Sequence, residues 1–307
     1  MATTVTPEMA AAVKGRGYLR NVGTDCFSAR VITVNGRVTT EQVRGLVEAA
    51  DRYGEGMVTL TSRLTFEIPG IHYDNIEPFE KALAEAGLAV GGTGPRVRPV
   101  VSCKGTICHF GNIDTFELSE RIHREFYEGY RPYKVPKKFK IGVGGCPNNC
   151  IKPTINDIGI VGANKPVYDT RLCRGCAKCK IMEACPIDCC EIIAGKLMVK
   201  KECLWCGRCI GKCPFGVVPE AENGMKVFVG GRWGKKTREG TQVNHFFTSQ
   251  DEVCDFIENT ILYYIENGEP GERLETTLDR LGFEDAVKRI LSGEFKQRKE
   301  QILATAQ

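Results

Sequence analysis

The chain has 307 residues, a formal net charge of +4 at pH 7 and 42% hydrophobic residues. This length predicts two or three domains with apolar cores, and the slight positive charge does not indicate nucleic-acid binding. The N-terminus lacks the apolar segment of a signal peptide, and no later run approaches membrane-spanning length. Sixteen cysteines in such a chain indicate metal ligands in a reducing, cytoplasmic compartment, because disulfide-rich proteins are usually small and secreted.

Residues 1–95 have the pattern of one unit of strands and helices. A strand is predicted over 29–34, and a capping box of Thr39 and Gln42 opens a helix. Two more strands and a second helix follow, ending near residue 86. This β-α-β-β-α order predicts a ferredoxin-like half-sandwich within an α+β fold.

Two close cysteine pairs lie in the next predicted domain segment, residues 96–166. Cys103 and Cys108 stand in S-C-K-G-T-I-C, and Cys146 and Cys150 stand in G-G-C-P-N-N-C. The glycines permit a sharp turn and the proline stiffens it, so each pair can be held in a fixed relation. Thiolates from two such turns can converge on one iron–sulfur centre.

Lys138 and Lys140 flank Phe139 shortly before the second pair. On a strand this alternation places both ammonium groups on one face and the phenyl ring on the other. Two neighbouring ammonium groups repel each other unless an anion lies between them, so the pattern predicts an anion site. A solvated basic strand at a sheet edge is the alternative.

Residues 167–222 contain two cysteine runs that each end in Cys-Pro. The second run is C-x2-C-x2-C-x3-C-P, and the first has five residues before its last cysteine. This is the pattern of bacterial dicluster ferredoxins, in which the fourth cysteine of each run binds the other run's cluster. The predicted ligands are Cys173, Cys176, Cys179 and Cys213 for one 4Fe–4S cluster, and Cys203, Cys206, Cys209 and Cys185 for the other. Cys189 can compete with Cys185, but Pro186 favours Cys185.

Residues 223–307 form the last predicted segment. A strand leads into G-G-R-W-G-K-K-T-R-E-G, in which glycine N–H groups and basic side chains can bind a polyanion. A flexible basic surface loop is the alternative. A capping box of Ser249 and Glu252 opens a helix. The charged helices after it are expected to form a tail that packs on the domain or contacts another subunit.

The central cysteine pairs, together with G-C-P-N-N-C and D-I-G-I-V-G, resemble the cluster signature of the sulfite and nitrite reductase hemoprotein family. The similarity covers nearly the whole chain and is greatest to the siroheme-bearing catalytic subunits of anaerobic sulfite reductases, with a dicluster ferredoxin inserted into an α/β siroheme domain. It implies that Cys103, Cys108, Cys146 and Cys150 hold a third 4Fe–4S cluster. Cys150 would also bridge this cluster to the iron of siroheme. One departure is that the family more often has five residues inside the first pair, where this chain has four.

The resemblance also assigns residues to the substrate and the cofactor. Arg63, Lys138 and Lys140 match positions that face the bound anion, and the two lysines favour sulfite over nitrite. A solvated edge arginine is the alternative for Arg63. The loop residues that would hold siroheme carboxylates are Arg232, Lys235, Lys236 and Arg238. Anaerobic members usually have a further arginine where this chain has Thr33.

The implied function is an oxidoreductase that reduces sulfite to sulfide with electrons relayed through ferredoxin-type clusters. Nitrite as the substrate, or a heme-free iron–sulfur electron-transfer subunit, is the alternative. No nucleotide or flavin motif is visible in the sequence, so a donor protein is expected to supply the electrons. Two-repeat relatives surround one siroheme with two such units. The single unit here predicts a homodimer or a homologous partner subunit that presents its own Arg63, Lys138 and Lys140 to this heme; a monomer is the alternative.

Overall fold

The structure is a computed structural model and describes residues 3–306. Its N-terminal part contains α1 (Pro7–Lys14), β1 (Tyr18–Arg20), β2 (Cys26–Ile32), α2 (Thr40–Tyr53), β3 (Thr59–Leu60), β4 (Phe66–His72), α3 (Ile76–Glu85) and β5 (Ala89–Val90). The strands form an antiparallel sheet in the order β1-β2-β4-β3, with β5 also paired to β2. Leu46 and Ala50 of α2 and Leu83 of α3 are buried in a core with Phe27, Ile68 and Phe79, whereas Val43 and Val47 of α2 are exposed. The predicted α+β class is confirmed.

The capping box that opens α2 is present. The Gln42 N–H donates to Thr39 Oγ1 at 3.1 Å, and the Thr39 N–H donates to Gln42 Oε1 at 2.9 Å. These two bonds satisfy donors that the first helical turn leaves without a partner. The strands predicted after this helix are shorter or shifted, because residues 61–65 turn. The Thr61 N–H donates to the Thr65 carbonyl at 2.9 Å, and Leu64 has a φ of 58°.

The remaining elements lie after residue 100. In order they are β6 (Val101–Ser102), α4 (Thr115–Ile122), β7 (Ile141–Gly144), β8 (Ile158–Pro166), α5 (Lys180–Ala184), β9 (Cys190–Ile193), β10 (Lys196–Val199), β11 (Ala221–Val229), β12 (Thr241–Phe247), α6 (Gln250–Asn267), α7 (Leu274–Leu281), α8 (Phe283–Leu291), α9 (Glu294–Gln297) and α10 (Lys299–Ala304). A π-helical turn (His123–Glu128) extends α4. Within residues 3–306, no helix is long and apolar enough to cross a membrane.

The second sheet has the order β12-β11-β8-β7-β6, and β6, β7 and β8 run parallel. Parallel neighbours end at the same edge of a sheet. The loop with Cys103 follows β6 and the loop with Cys146 follows β7, so the sheet brings the two cysteine pairs to one edge. The sheet packs on α6, whose residues Ile257, Ile261 and Tyr264 are fully buried in the shared core.

Residues 167–222, here called the insert, connect β8 to β11. These strands pair antiparallel, with Pro166 opposite Ala221, so the insert leaves and re-enters the sheet at adjacent positions. It has a small apolar core of its own that includes Ile181, Leu197 and Val217. The domain boundaries remain a prediction.

Candidate active site and metal centres

Cys103, Cys108, Cys146 and Cys150, here called the central set, lie in the two loops at the end of β6 and β7. The Gly145 N–H donates to Cys103 Sγ at 3.1 Å. The loops approach so closely that a Cβ on Gly145 would lie 2.7 Å from the Gly105 Cα, a separation that only glycine permits. Burial raises the pKa of Cys146, and the other three thiols of the set raise it further. Four interacting thiols of this kind are a donor set for an iron–sulfur cluster.

A cavity of about 380 Å³ adjoins the central set. It brings together three residues singled out in the sequence, Arg63, Lys140 and Cys150, and it is also lined by Lys152 and Asn156. Cys150 is exposed, so its sulfur is accessible on the cavity side. No carboxylate is found among the described residues that line this cavity. The site therefore combines a thiol with several cations and suits an anionic ligand.

Arg63 is partly buried and held from two directions. Its Nη1 donates to Asn156 Oδ1 at 2.9 Å, and its Nη2 donates to the Pro99 carbonyl at 2.7 Å. Its Nε has no hydrogen-bond partner among the described residues. Burial, followed by repulsion from Arg98, lowers the pKa of Arg63 to about 10, so the guanidinium stays charged at neutral pH. Arg63 is thus a fixed cation at the cavity and not a solvated edge residue.

Lys140 lies directly before β7, and Phe139 beside it is fully buried. The Lys140 N–H donates to Asp157 Oδ2 at 2.9 Å, which fixes the backbone at this point. Its Nζ lies 3.5 Å from the Trp233 carbonyl. Burial lowers the pKa of Lys140 to about 8, and the charges of Arg63 and Lys138 act in the same direction. The ammonium group therefore titrates close to neutral pH.

Lys138 does not line this cavity, although its charge acts on Lys140. Burial also lowers the pKa of Lys138. Within the predicted basic strand, Phe139 alone forms a β-bridge, and its partner is Val97. The two lysines therefore lie on the segment that leads into β7, and they do not belong to the strand itself.

Sequence reasoning missed the support around these cations. Asp157 is fully buried and accepts two bonds from Arg273 Nη2, at 3.0 and 2.9 Å. Asp157 stands in the D-I-G-I-V-G motif, but Arg273 carries no local signal because it lies 116 positions away. Lys152 had a signal in the sequence, since it follows Cys150 closely. In the structure its φ is 49°, a backbone conformation that is uncommon for a residue other than glycine.

The basic loop between β11 and β12 is folded back on itself. Arg232 and Arg238 exchange backbone hydrogen bonds of 2.8 and 2.9 Å. The Arg232 side chain pairs with Glu275, and the Arg238 side chain pairs with Asp279, both on α7. The other two predicted residues, Lys235 and Lys236, are exposed. The structure therefore divides the four predicted loop cations into two that already bind carboxylates and two that extend into solvent.

Cys185, Cys203, Cys206 and Cys209, here called the inner set, line one small cavity in the insert. Tyr168 Oη lies 3.9 Å from Cys209 Sγ. Cys189 lines the same cavity, and its sulfur lies 3.4 Å from that of Cys185. Burial acts to raise the pKa of Cys185, but hydrogen bonds from backbone N–H groups hold it below its usual value. Burial raises the pKa of Cys189. The thiolate required of a ligand is therefore favoured at Cys185.

Cys173, Cys176, Cys179 and Cys213, here called the outer set, are the second group of predicted ligands in the insert. Cys173, Cys179 and Cys213 are partly buried against the insert core, and Cys176 is exposed. The Lys196 ammonium group donates to the Cys173 carbonyl at 3.1 Å. The outer set is thus the more accessible of the two in the insert.

A cleft of about 650 Å³ separates the insert from the central loops. Cys146 of the central set and Cys206 of the inner set both line it, together with Asn112 and Asn164. The inner set therefore faces the central set across this cleft.

Comparison with known proteins agrees with this arrangement. Residues 93–299 match the nitrite and sulphite reductase 4Fe-4S domain, and residues 18–86 match the nitrite/sulfite reductase ferredoxin-like half domain. The second match confirms the predicted half-sandwich. The matched 4Fe-4S domain and the sulfurs of Cys185, Cys189 and Cys190, which lie within 4.8 Å of one another, support an iron–sulfur cluster in this chain.

Individual relatives point the same way. The chain is 33% identical to the coenzyme F420-dependent sulfite reductase of Methanocaldococcus jannaschii over 83% of its own length, and it spans only 41% of that protein. It is 30% identical to a subunit of the anaerobic sulfite reductase of Salmonella typhimurium, with 80% of this chain and 77% of the relative covered. The crystal structure of dissimilatory sulfite reductase I superimposes with a TM-score of 0.69 at 22% identity, over 86% of this chain and 69% of that one, which shows a shared fold. On these matches the chain belongs to the nitrite and sulphite reductase family of oxidoreductases.

Proposed function

We propose that the chain is a siroheme-dependent enzyme that reduces sulfite to sulfide. The observation that carries this proposal is the single cavity lined by Arg63, Lys140 and Cys150. It places a thiol of the central set beside two cations that can bind a small oxyanion. The residues present fit siroheme, because a polycarboxylate requires cations and none of the described lining residues is acidic. When bound, siroheme supplies an iron that takes up the substrate and passes electrons to it.

The side chains of this site then have distinct tasks. Arg63 remains charged and is held by Asn156, so it binds and orients the anion. Lys140 has a pKa of about 8 and can therefore both attract the anion and donate a proton from Nζ as S–O bonds break. Lys138 adds charge beside it. Of the loop cations, Lys235 and Lys236 are available for siroheme carboxylates, whereas Arg232 and Arg238 are already paired with α7.

Electrons would reach this site through the insert. The inner and outer sets each provide four cysteines for a 4Fe–4S cluster, which makes three clusters with the central set. The inner set faces Cys146 across the cleft, and Cys176 of the outer set is exposed. The proposed order is therefore donor protein, outer cluster, inner cluster and central cluster. Residues 169–183 contain four Lys or Arg and two carboxylates. Asp169 pairs with Arg171 and Glu183 pairs with Lys180, and the remaining excess of two cations favours an acidic donor. We propose a cytoplasmic location, because cysteines with these tasks require a compartment in which thiols remain reduced.

An absorption spectrum of the anaerobically purified protein tests this function. A siroheme Soret band and red band are expected beside the broad iron–sulfur absorption. A spectrum with iron–sulfur features alone, from cells that make siroheme, would favour a heme-free electron-transfer subunit. Turnover measured side by side with sulfite and with nitrite then identifies the preferred anion, and we expect sulfite because both Lys138 and Lys140 are present.

Anion binding is expected to depend on the charge of Lys140. Nitrite is the suitable probe because it carries one charge throughout neutral and alkaline pH, whereas sulfite itself titrates. Below its pKa of about 8, Lys140 is an ammonium group that attracts the anion. Above it the group is neutral, so the Kd of nitrite measured from the heme spectrum should rise with pH. Lys140→Met should raise this Kd at neutral pH by about ten- to a hundredfold, because a hydrogen bond to a charged group contributes roughly 1.5–3 kcal/mol.

Lys140→Arg is the matched control for this titration. A guanidinium keeps its charge at alkaline pH, so the rise in Kd above about pH 8 should disappear in this variant. If wild type and Lys140→Arg show the same pH dependence, Lys140 is not the titrating group.

We also propose that the chain pairs with a second copy or with a homologous subunit; the Salmonella relative is itself named as one subunit of its enzyme. Arg63 and Lys140 lie on the cavity of Cys150 within one chain, so a neighbour is not required to supply them. Its task would be to cover the open side of the cavity. Sedimentation of the heme-loaded protein should give a dimer or a larger assembly, and a fully active monomer that persists on dilution would contradict the pairing.

A further inference from the structure

A chain of three hydrogen bonds joins the loop of the inner set to the loop of the central set. The Asn164 N–H donates to the carbonyl of Trp205, the residue before Cys206, at 2.8 Å. The Asn164 Nδ2 donates to Asn112 Oδ1 at 2.9 Å. The Asn112 N–H donates to the carbonyl of Gly145, the residue before Cys146, at 2.8 Å. The connection therefore begins and ends one residue from a proposed ligand.

A third asparagine fixes the orientation of the carboxamides. Asn223 Nδ2 donates to Asn164 Oδ1 at 2.8 Å and to the Asn112 carbonyl at 2.7 Å. Asn164 therefore presents its oxygen to Asn223 and its nitrogen to Asn112, so both halves of its amide are used. Asn164 and Asn223 lie opposite each other on β8 and β11, the two strands from which the insert departs. The three residues, here called the asparagine bridge, thus connect the insert, the sheet and the central loop.

The asparagine bridge lies at the margin of the cleft of about 650 Å³ between the two cysteine sets. Cys146 and Cys206 face this cleft, and Asn112 and Asn164 line it. The protein therefore has a bonded connection beside an open gap. Electron tunnelling falls steeply with distance and passes more readily through bonds and hydrogen bonds than through a gap.

We infer that Asn112 and Asn164 are positioning residues for electron transfer between the inner and central clusters. This inference rests on the proposed cluster relay. One electron leaves the reduced inner cluster and enters the oxidised central cluster, and no bond or proton changes place. The asparagine bridge holds the two loops at a fixed separation and provides a continuous bonded route between Cys206 and Cys146.

Two substitutions that introduce the same charge into the same cleft test the inference. Asn164→Asp replaces the Nδ2 donor by an oxygen, which can no longer donate to Asn112 Oδ1, although it still accepts from Asn223. Asn112→Asp keeps an oxygen that accepts from Asn164 Nδ2, and it loses only the 3.3 Å bond from Asn112 Nδ2 to the Gly162 carbonyl. Comparison of the two variants therefore separates the effect of losing the direct bond from Asn164 to Asn112 from the effect of the added negative charge.

The measurement is the rate of electron transfer between clusters in the holoprotein after a pulse of photochemical reduction, followed by rapid-freeze EPR. Asn164→Asp should slow this step several-fold relative to Asn112→Asp, while iron content and cluster reduction potentials match between the two variants. Equal rates in the two variants would overturn the inference. If Asn164→Asp fails to take up its clusters, Asn164→Ala, compared with wild type, decides in the same way. Absence of any intercluster transfer in the wild type would instead refute the relay on which the inference rests.

Discussion

Cys150→Ser is expected to lose siroheme and to disturb the cluster of the central set. Cys150 is the one cysteine that the described part of the chain places on the anion cavity, and it also belongs to the central set. A serine hydroxyl is a much poorer ligand for iron than a thiolate. Iron content should fall by up to about two fifths, because one of three four-iron clusters and the siroheme iron are affected, and the heme bands should be lost or strongly reduced.

Cys26→Ser is the control for this experiment. Cys26 lies on β2 in the N-terminal sheet and is not part of any of the three cysteine sets. The substitution should leave both iron content and the heme spectrum as in the wild type. Unchanged iron and heme in Cys150→Ser would show that Cys150 is not the residue shared by cluster and heme.

Cys209→Ser is expected to abolish turnover with a protein donor while siroheme remains bound. Cys209 is buried in the inner set beside Tyr168, so its loss should remove the inner cluster and interrupt the route to the central set. The heme bands should persist, because the sheet that carries the central set does not depend on this side chain. Donor-linked sulfite reduction and the heme spectrum of the same sample measure both effects.

Cys254→Ser is the matched control, since Cys254 is also buried but lies on α6. It should retain both the heme bands and donor-linked turnover. If Cys209→Ser kept full turnover with the protein donor, electrons would enter by a route other than the insert.

Features encoded by short-range patterns could be predicted from the sequence. The capping residues Thr39 and Ser249 begin α2 and α6, because their side chains bond N–H groups only three positions ahead. The proposed inner set follows from the spacing of its cysteines, and the structure brings all four to one cavity. The half-sandwich is likewise predictable from alternating apolar residues and turns.

Features that depend on distant parts of the chain could not be predicted. The buried pair of Asp157 and Arg273 forms only when the segment before α7 folds onto the sheet. The same packing pairs Arg232 with Glu275. Part of a loop whose basic residues all look unpaired in the sequence therefore already binds carboxylates. No local sequence pattern predicts the asparagine bridge, because its members lie 52 and 59 positions apart in the chain.

The insert departs from β8 and returns to β11 at paired residues, Pro166 and Ala221. A tight hairpin turn would join the same two strands without shifting their register, since antiparallel neighbours need only a short connection. The cost of closing a longer loop grows slowly with its length. One recombination event at this position could therefore have added or removed the whole insert, while the hydrophobic core beneath the cavity of Arg63 and Cys150 kept its shape.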